Sequence, residues 1–509
     1  MRSYCISLLF FIILSVPVIS QSSKPLRLEF EAQGEETNFH LIPAAQQGFI
    51  LFYPKASDNQ KTKLEFIHYS NVFFKQHIAS LDVASGLYYK SYAIKDSLVY
   101  ILFAEGSKSI KENIAMLIQY NILSHSIKPI YFSFASKSEV NKMFILDKSI
   151  AFLNKEKTVY SLQTLSLDSN KILSKEVLNE KGYLIRTKFS NNNNTFNILF
   201  KRKINRNLSE MILKSYDLLT QTTDSITIQP TEGEVLNNSD FEIINDSSIL
   251  VLGSYINEDE KSSYADNINE EESTGIYVSL YINKKQSFIT YYNFVDMKSF
   301  YRYMNENEII SLKKKLARNT KGDKKYSMNY KILLHDVKYF NKQFLLTFET
   351  YFPEYRTVSN NTYDYYGRLV PNTYTVFDGF RYQKAFVLSF NGSGKLLWEN
   401  SMQMINILED VLKEKSELMP FPDEMLIATL NDGEINSKII FSKDEYSDFP
   451  SSRIESNYRT DIITSSSPEE LYYWYDNYFI AFGYQQIKNN TLVEKNKRRV
   501  FYINKIAYQ

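Results

Sequence analysis

GFILFY at 48–53 and SLVYILFA at 97–104 are short, almost wholly apolar, and each follows polar turn residues. Six further runs share this character: SIAFL at 149–153, TFNILF at 195–200, SILVLG at 248–253, QFLLTF at 343–348, MLIATL at 425–430 and YFIAFG at 478–483. Runs of this length, rich in Ile, Leu, Val and Phe and bounded by turn residues, read as strands buried on both faces. Each is followed by a polar connection and a second run with more alternation, at 63–69, 114–120, 158–167, 211–219, 275–282, 385–390, 438–441 and 500–506. Alternation marks a strand with one partly solvated face. Eight antiparallel hairpins result. Asp58-Asn59, Asn192-Asn193 and Asn489-Asn490 supply turn residues, because Asn and Asp tolerate the left-handed conformation of tight turns.

The first runs start 46 to 53 residues apart except for two longer intervals of 95 and 82 residues. The longer intervals contain three insertions: an acidic stretch at 257–273, a polar segment at 296–325 expected to be helical, and a Tyr-rich loop at 351–382. Without them the spacing approaches that of four-stranded propeller blades. The expected fold is therefore all-β, a β-propeller of seven or eight four-stranded blades in one domain spanning 21–509. Closing the ring removes the exposed edges that so many apolar strands would otherwise present. LRLEFE at 26–31 is an unpaired strand able to complete the last unit, so the ends are expected to close the ring by pairing. Two or three separate β-sandwiches are the competing architecture.

Residues 1–20 carry Arg2, an apolar core from Ile6 to Ile19 and small residues before Gln21, the pattern of a secretory signal peptide. About fourteen apolar residues are too few for a relaxed bilayer span, and no later segment supplies one. The only cysteine, Cys5, lies in that leader, which leaves no disulfide or thiolate metal site to the mature chain. An exported, periplasmic or extracellular protein of a bacterial envelope is expected, with no membrane span. The formal charge of +1 falls to zero when the leader is removed with its single Arg2, so no concentrated basic surface marks a nucleic-acid partner. With 39 Tyr and 35 Phe against 15 Gly, the composition favours strands.

KAFVLSFNGSGKLLWEN at 384–400, a strand leading through a glycine turn to a strand ending in Trp, resembles one blade of the quinoprotein-type, WD40-like propeller repeat. It departs from that pattern at Phe390, where Asp is usual, and no other unit repeats Trp398. The resemblance implies the fold and no quinone or other cofactor. FPEYR at 352–356, FDGFRY at 377–382, LLWEN at 396–400 and the end FYINKIAYQ also resemble uncharacterised exported proteins of Bacteroidota, which implies an envelope or secreted location and gives no activity.

His40, His68, His77, His125 and His335 form no recognised metal-binding spacing, and no nucleophile elbow occurs. No metal site is expected. Gly392-Ser393-Gly394 reads as turn chemistry, and the acidic stretch lacks the spacing of a calcium loop. Lys313 to Lys325 reads as a charged solvated face. The distinctive surface is the Tyr-rich insertion, where Tyr351, Tyr355, Tyr365, Tyr366, Phe377 and Phe380 are interspersed with Arg356, Arg368 and Arg381. Tyr and Arg dominate binding hot spots, and a loop of this length is a recognition element unless its rings pack back onto the propeller. The expected function is a non-enzymatic binding or scaffold protein that presents loops to a protein or glycan of the cell envelope or exterior. The alternative is a glycan-processing hydrolase or lyase whose carboxylates converge from several blades.

Overall fold

In the computed structural model the described residues are 26–32, 38–55, 61–105, 113–134, 139–156, 159–179, 182–190, 195–204, 209–218, 220, 222–258, 271–319, 328–363, 365–422, 424–441, 446–448, 451–491 and 496–508. They form eight antiparallel sheets, numbered here as blades 1 to 8 in chain order. The eight apolar runs are the second strand of each blade and their alternating partners the third. The signal peptide, Asp58-Asn59, Asn192-Asn193, most of the acidic stretch and the end of the basic segment lie outside the described residues. Asn489-Asn490 does open the turn between the paired strands of blade 8, Asn489 donating its backbone N–H to the Asn496 carbonyl at 2.7 Å.

Six blades have four strands, blade 7 has five and blade 6 has seven, two of them only two residues long. Blades 1 to 7 follow the chain, and blade 8 comprises Ile462–Tyr475, Tyr478–Lys488 and Lys497–Ala507. Its fourth strand is Leu26–Glu31, which runs antiparallel to Lys497–Ala507 with Leu26 opposite Lys505 and Glu31 opposite Val500. The ring is thus closed by its two ends, as expected.

Each blade buries its apolar side chains against both neighbours, giving eight cores between successive sheets. The core between blades 8 and 1 shows that the ring is complete. There Phe49 stacks on Tyr69 at 5.2 Å, and the Trp474 indole donates to the Gly48 carbonyl at 3.2 Å. A second strand packed on both faces is apolar at nearly every position, Asn197, Thr347 and Thr429 being among its buried polar residues, which is why these runs show no alternation.

First strands of neighbouring blades touch one another, so they line the axis of the ring, and fourth strands form its rim. The alternating strand directions define two faces. Turns between first and second and between third and fourth strands lie on the lower face; turns between second and third strands and the links between blades lie on the upper. All three insertions therefore emerge from the upper face. Of the segment at 296–325, expected to be helical, the described residues 296–319 carry two helices, α1 (Lys298–Tyr301) and α2 (Glu306–Asn319). Phe294, Met297 and Phe300 pin it into the core between blades 5 and 6.

The strand–turn–strand of 384–400 forms parts of the third and fourth strands of blade 6. Gly392-Ser393-Gly394 occupies their lower turn, and Gly394 has φ +74° where a Cβ would lie 2.5 Å from Phe288. The Tyr-rich insertion is not a loop. Gln343–Tyr363 and Leu369–Phe390 are two uninterrupted strands that leave the blade together as a ribbon. Beyond the blade body each strand runs some twelve residues, about 40 Å at 3.3 Å per residue.

Candidate functional site

The ribbon, termed the arm below, is built from residues that favour extended backbone, among them Thr357, Val358, Thr373, Tyr374, Thr375 and Val376. Its root is fixed by the core. Tyr351 and Tyr382 are both 2% exposed and lie in the core between blades 6 and 7. The Tyr382 hydroxyl donates to the Lys413 carbonyl at 2.7 Å and accepts from its N–H at 3.1 Å, and burial pushes the phenol pKa up. Tyr351 is therefore an anchor of the arm and not the contact residue expected from the sequence. From it a ladder of edge-on rings climbs outward: Tyr351 to Phe380 at 5.6 Å, Phe380 to Phe377 at 5.0 Å, and Phe377 to its cross-strand partner Tyr355 at 5.7 Å.

Burial falls along this ladder. Phe380 is half-buried, whereas Phe377 is 41% and Tyr355 58% exposed, and at the tip Tyr365 and Tyr366 reach 98% and 79%. Gly379, at φ +142°, sits where a Cβ would come within 3.0 Å of the Glu409 carbonyl, so the arm bends past the short strand Leu408–Glu409 there. Arg381 holds Glu354 at 2.6 Å, and that hydrogen bond lowers the carboxyl pKa and raises that of the guanidinium. Arg356 pairs with Asp378 at 3.1 Å. Two of the three candidate arginines thus brace the arm across its strands, and Arg368 lies exposed at the tip beside Tyr365 and Tyr366.

A second constellation, invisible in the sequence, lines the axis. Lys188 of blade 4 sits 2.9 Å from both Asp240 and Glu242 of blade 5, and Asp240 also accepts the Val337 N–H of blade 6 at 2.6 Å. Burial would lower the Lys188 pKa, but the two carboxylates raise it; burial raises that of Glu242. Arg186 of blade 4 reaches Asp336 of blade 6 at 3.1 Å, passing blade 5 altogether. Further round, His335 faces Glu349 at 3.1 Å and Glu414 at 3.7 Å, Lys338 faces Glu417 at 3.7 Å, and Lys413 faces Glu470 at 3.0 Å. Burial raises the Glu417 pKa, with Glu414 adding to the effect. Burial opposes protonation of His335, but Glu349 outweighs it and the pKa rises. Tyr472 of blade 8, its phenol pKa pushed up by burial, feels the charges of Glu470 and Glu417 and the rings of Tyr92 and Tyr89 across the axis. Charges of different blades thus pair at the axis: Lys188 of blade 4 with Asp240 and Glu242 of blade 5, Lys338 of blade 6 with Glu417 of blade 7, and Lys413 with Glu470 of blade 8.

The strands also unite three histidines that are far from any metal spacing in the sequence. His77 lies opposite His68 in blade 1, and the ring of His125 from blade 2 packs at 5.3 Å from His68 and stacks at 4.8 Å on His77. Burial lowers the pKa of His68 and of His125, and the mutual proximity of the rings adds to it. Among the described residues no group of three His, Cys, Asp or Glu is placed to hold a metal ion.

No protein-family model matches the chain, and no curated protein matches it. Among solved structures the chain is similar to the β-propeller domain of the Trilobed protease from Pyrococcus furiosus, at 10% identity over 83% of this chain and 94% of that one, with a TM-score of 0.35. It is also similar to the polysaccharide lyase Uly1, at 10% identity over 82% and 89% of the two chains, with a TM-score of 0.38. No helix among the described residues is long and apolar enough to cross a membrane.

Proposed function

We propose that this protein is an exported, non-enzymatic binding or scaffold protein that engages a protein or glycan partner of the cell envelope or exterior through the upper face of its propeller. The arm supports this reading. It carries Tyr355, Phe377, Tyr365, Tyr366 and Arg368 exposed on a ribbon whose root is locked into the core. Rigid presentation of aromatic anchors lowers the ordering cost of binding. Crosslinking in envelope fractions should recover a partner with the intact chain and none with a chain in which 353–379 is replaced by a tight turn. Equal recovery by the two chains would remove the arm from the binding surface. Export itself is tested by intact mass, with the mature chain beginning at Gln21.

One observation favours a second reading, a glycan-processing hydrolase or lyase. Glu417 stands at the axis 3.7 Å from Lys338 on the neighbouring blade, and burial raises its carboxyl pKa, a combination that suits a general acid. Turnover of a polysaccharide panel that disappears in Glu417→Gln would support an enzyme; absence of turnover in the parent chain would leave the axial charges as the lacing of the ring.

A further inference from the structure

A cavity of about 740 Å³ opens on the upper face between α2 and the second and third strands of blade 6. It lies at the root of the arm and shares no residue with the exposed rings or with the axial charges. Its size falls in the range of pockets that enclose a small organic ligand. The floor is apolar, because Phe300 stacks on Phe386 at 4.1 Å and Tyr330 closes against Phe300 at 5.3 Å.

Into this apolar floor the protein places a cation. The Lys384 ammonium donates to the carbonyls of Phe300 at 2.9 Å and Arg302 at 3.0 Å. An ammonium has three donors, so one is left over. Among the described residues Lys384 makes no ion pair within 4.0 Å; burial lowers its pKa, and Glu308 opposes that only through space. Glu308 is already committed, accepting the Asn305 N–H at 2.9 Å while Asn305 accepts the Glu308 N–H at 2.9 Å, the reciprocal cap of α2. The acid at the rim is therefore turned to its own helix.

Tyr303 stands beside this lysine with φ +68°, a strained conformation for an aromatic residue. The Lys438 ammonium, from a fully buried side chain, donates to its hydroxyl at 2.8 Å, and Lys438 and Lys384 lie 5.2 and 6.0 Å from its ring centre. The rim adds the amides of Asn307 and Gln383 and the Ser311 hydroxyl, all exposed. A cation with a spare donor, an aromatic ring and several amide and hydroxyl groups match a ligand with a carboxylate, an apolar ring face and many hydroxyls.

We propose that this cavity binds an acidic sugar, a uronate residue of a glycan, whose carboxylate takes the spare donor of Lys384 and whose ring lies against Tyr303. The contact to Lys384 is charge-assisted and so favours uronate over neutral sugar. Titration calorimetry on the full chain with an oligogalacturonate, a neutral glucose oligomer of the same length and benzoate tests it. Uronate should bind at least about tenfold more tightly than the other two, and more weakly at high salt. Equal affinity for the neutral oligomer, tighter binding of benzoate, or no uronate binding at all would overturn the proposal. Lys384→Met should weaken uronate binding by at least about tenfold and Lys384→Arg by less. Because Lys384 is partly buried, Ser311→Trp at an exposed position of α2 gives an independent check: it should obstruct the cavity and block binding without lowering the melting temperature. Unchanged uronate affinity in a folded Ser311→Trp chain would equally sink the site. The chain lacking 353–379 should still bind uronate, which separates this site from the partner contact of the arm.

Discussion

Blade 8 and blade 6 each contain an antiparallel pairing that leaves the ordinary pattern, and the two have opposite uses. The closing strand Leu26–Glu31 pairs over six residues, but almost everything it touches is buried. Arg27, its side chain 3% exposed, donates to Glu29 at 2.7 Å, Asn504 at 2.8 Å and Gln485 at 2.7 Å, while Leu28 and Phe30 pack into the core between blades 8 and 1. The arm pairs over more than twice that length, and most of its side chains face water. The number of paired residues thus says little about what a pairing stabilises; the surface it buries decides.

The sharpest way to break the comparison is to remove each pairing in turn. Deleting 26–31 exposes an edge of blade 8 and gives up the burial of Leu28 and Phe30, at roughly 1.5–3 kcal/mol each. The chain should lose about 4 kcal/mol or more and melt several degrees lower; an unchanged melting curve would deny the strand its closing role. Arg27→Met should cost about 3 kcal/mol in denaturant unfolding, since it leaves Glu29 partly unpaired in a buried setting. Glu29→Gln should cost less, because the amide oxygen can still accept from Arg27, which keeps Asn504 and Gln485, and Arg498 keeps Asp461 at 2.5 Å.

Acid should act on the ring between blades 1 and 2, where His40 packs against Phe52 and Tyr89. Burial holds the pKa of His40 down at about 4, against about 6.5 in an unfolded chain. The unfolded state therefore takes up the proton first as pH falls. The contribution of His40 is full above about pH 6.5 and is lost towards pH 4, by about 2–3 kcal/mol. His68 and His125, also lowered, act in the same direction. His335, raised, acts oppositely: its contribution is full below about pH 6.5 and disappears as pH rises through its elevated value. Urea unfolding across pH 4–8 should show a falling acid limb that His40→Phe flattens; an identical limb in that variant would assign the acid loss elsewhere.

The smallest effect on stability is expected at the arm tip. Replacing Tyr365, Tyr366 and Arg368 together by Ala should leave the melting temperature within about 1 °C, as for exposed sites in general, yet weaken partner binding by more than about 2 kcal/mol. Normal binding with early melting would show instead that the tip is a packed cap. Neutralising Lys313 and Lys314, exposed on α2, should alter mainly the salt dependence.

The second strands of all eight blades were legible because both their faces are buried and little that is polar interrupts them, and the third strands as the alternating runs that follow each one. First strands were not. Arg186, Lys188, Asp240, Glu417 and Glu470 break their apolar pattern because these side chains exchange charge across the axis. That same exchange is why the axial constellation could not be read: its members are dozens to hundreds of residues apart. The arm was visible as an insertion but not as strand, since Pro353, Pro371 and Gly379 read as breakers. A two-stranded ribbon leaves each strand a free edge where proline is tolerated. The burial of Tyr351 was hidden for a plainer reason: its composition matches the exposed tyrosines beyond it.

Closure by the two ends also has a consequence in time. Arg27 and Asn504 meet across 477 residues, and bringing points that far apart together in an open chain costs about 5 kcal/mol of loop entropy. Each hairpin can form from neighbours in the chain, but the contact that completes the ring cannot precede them, so assembly should be local, fast and then gated by one slow, distant event. The same seam joins the parts of the ring that are most remote along the chain. A chain held by a chaperone or passing through a narrow pore would remain an open array of blades until both ends are free, and a sheet lacking its last strand is the species most exposed to pairing with another copy.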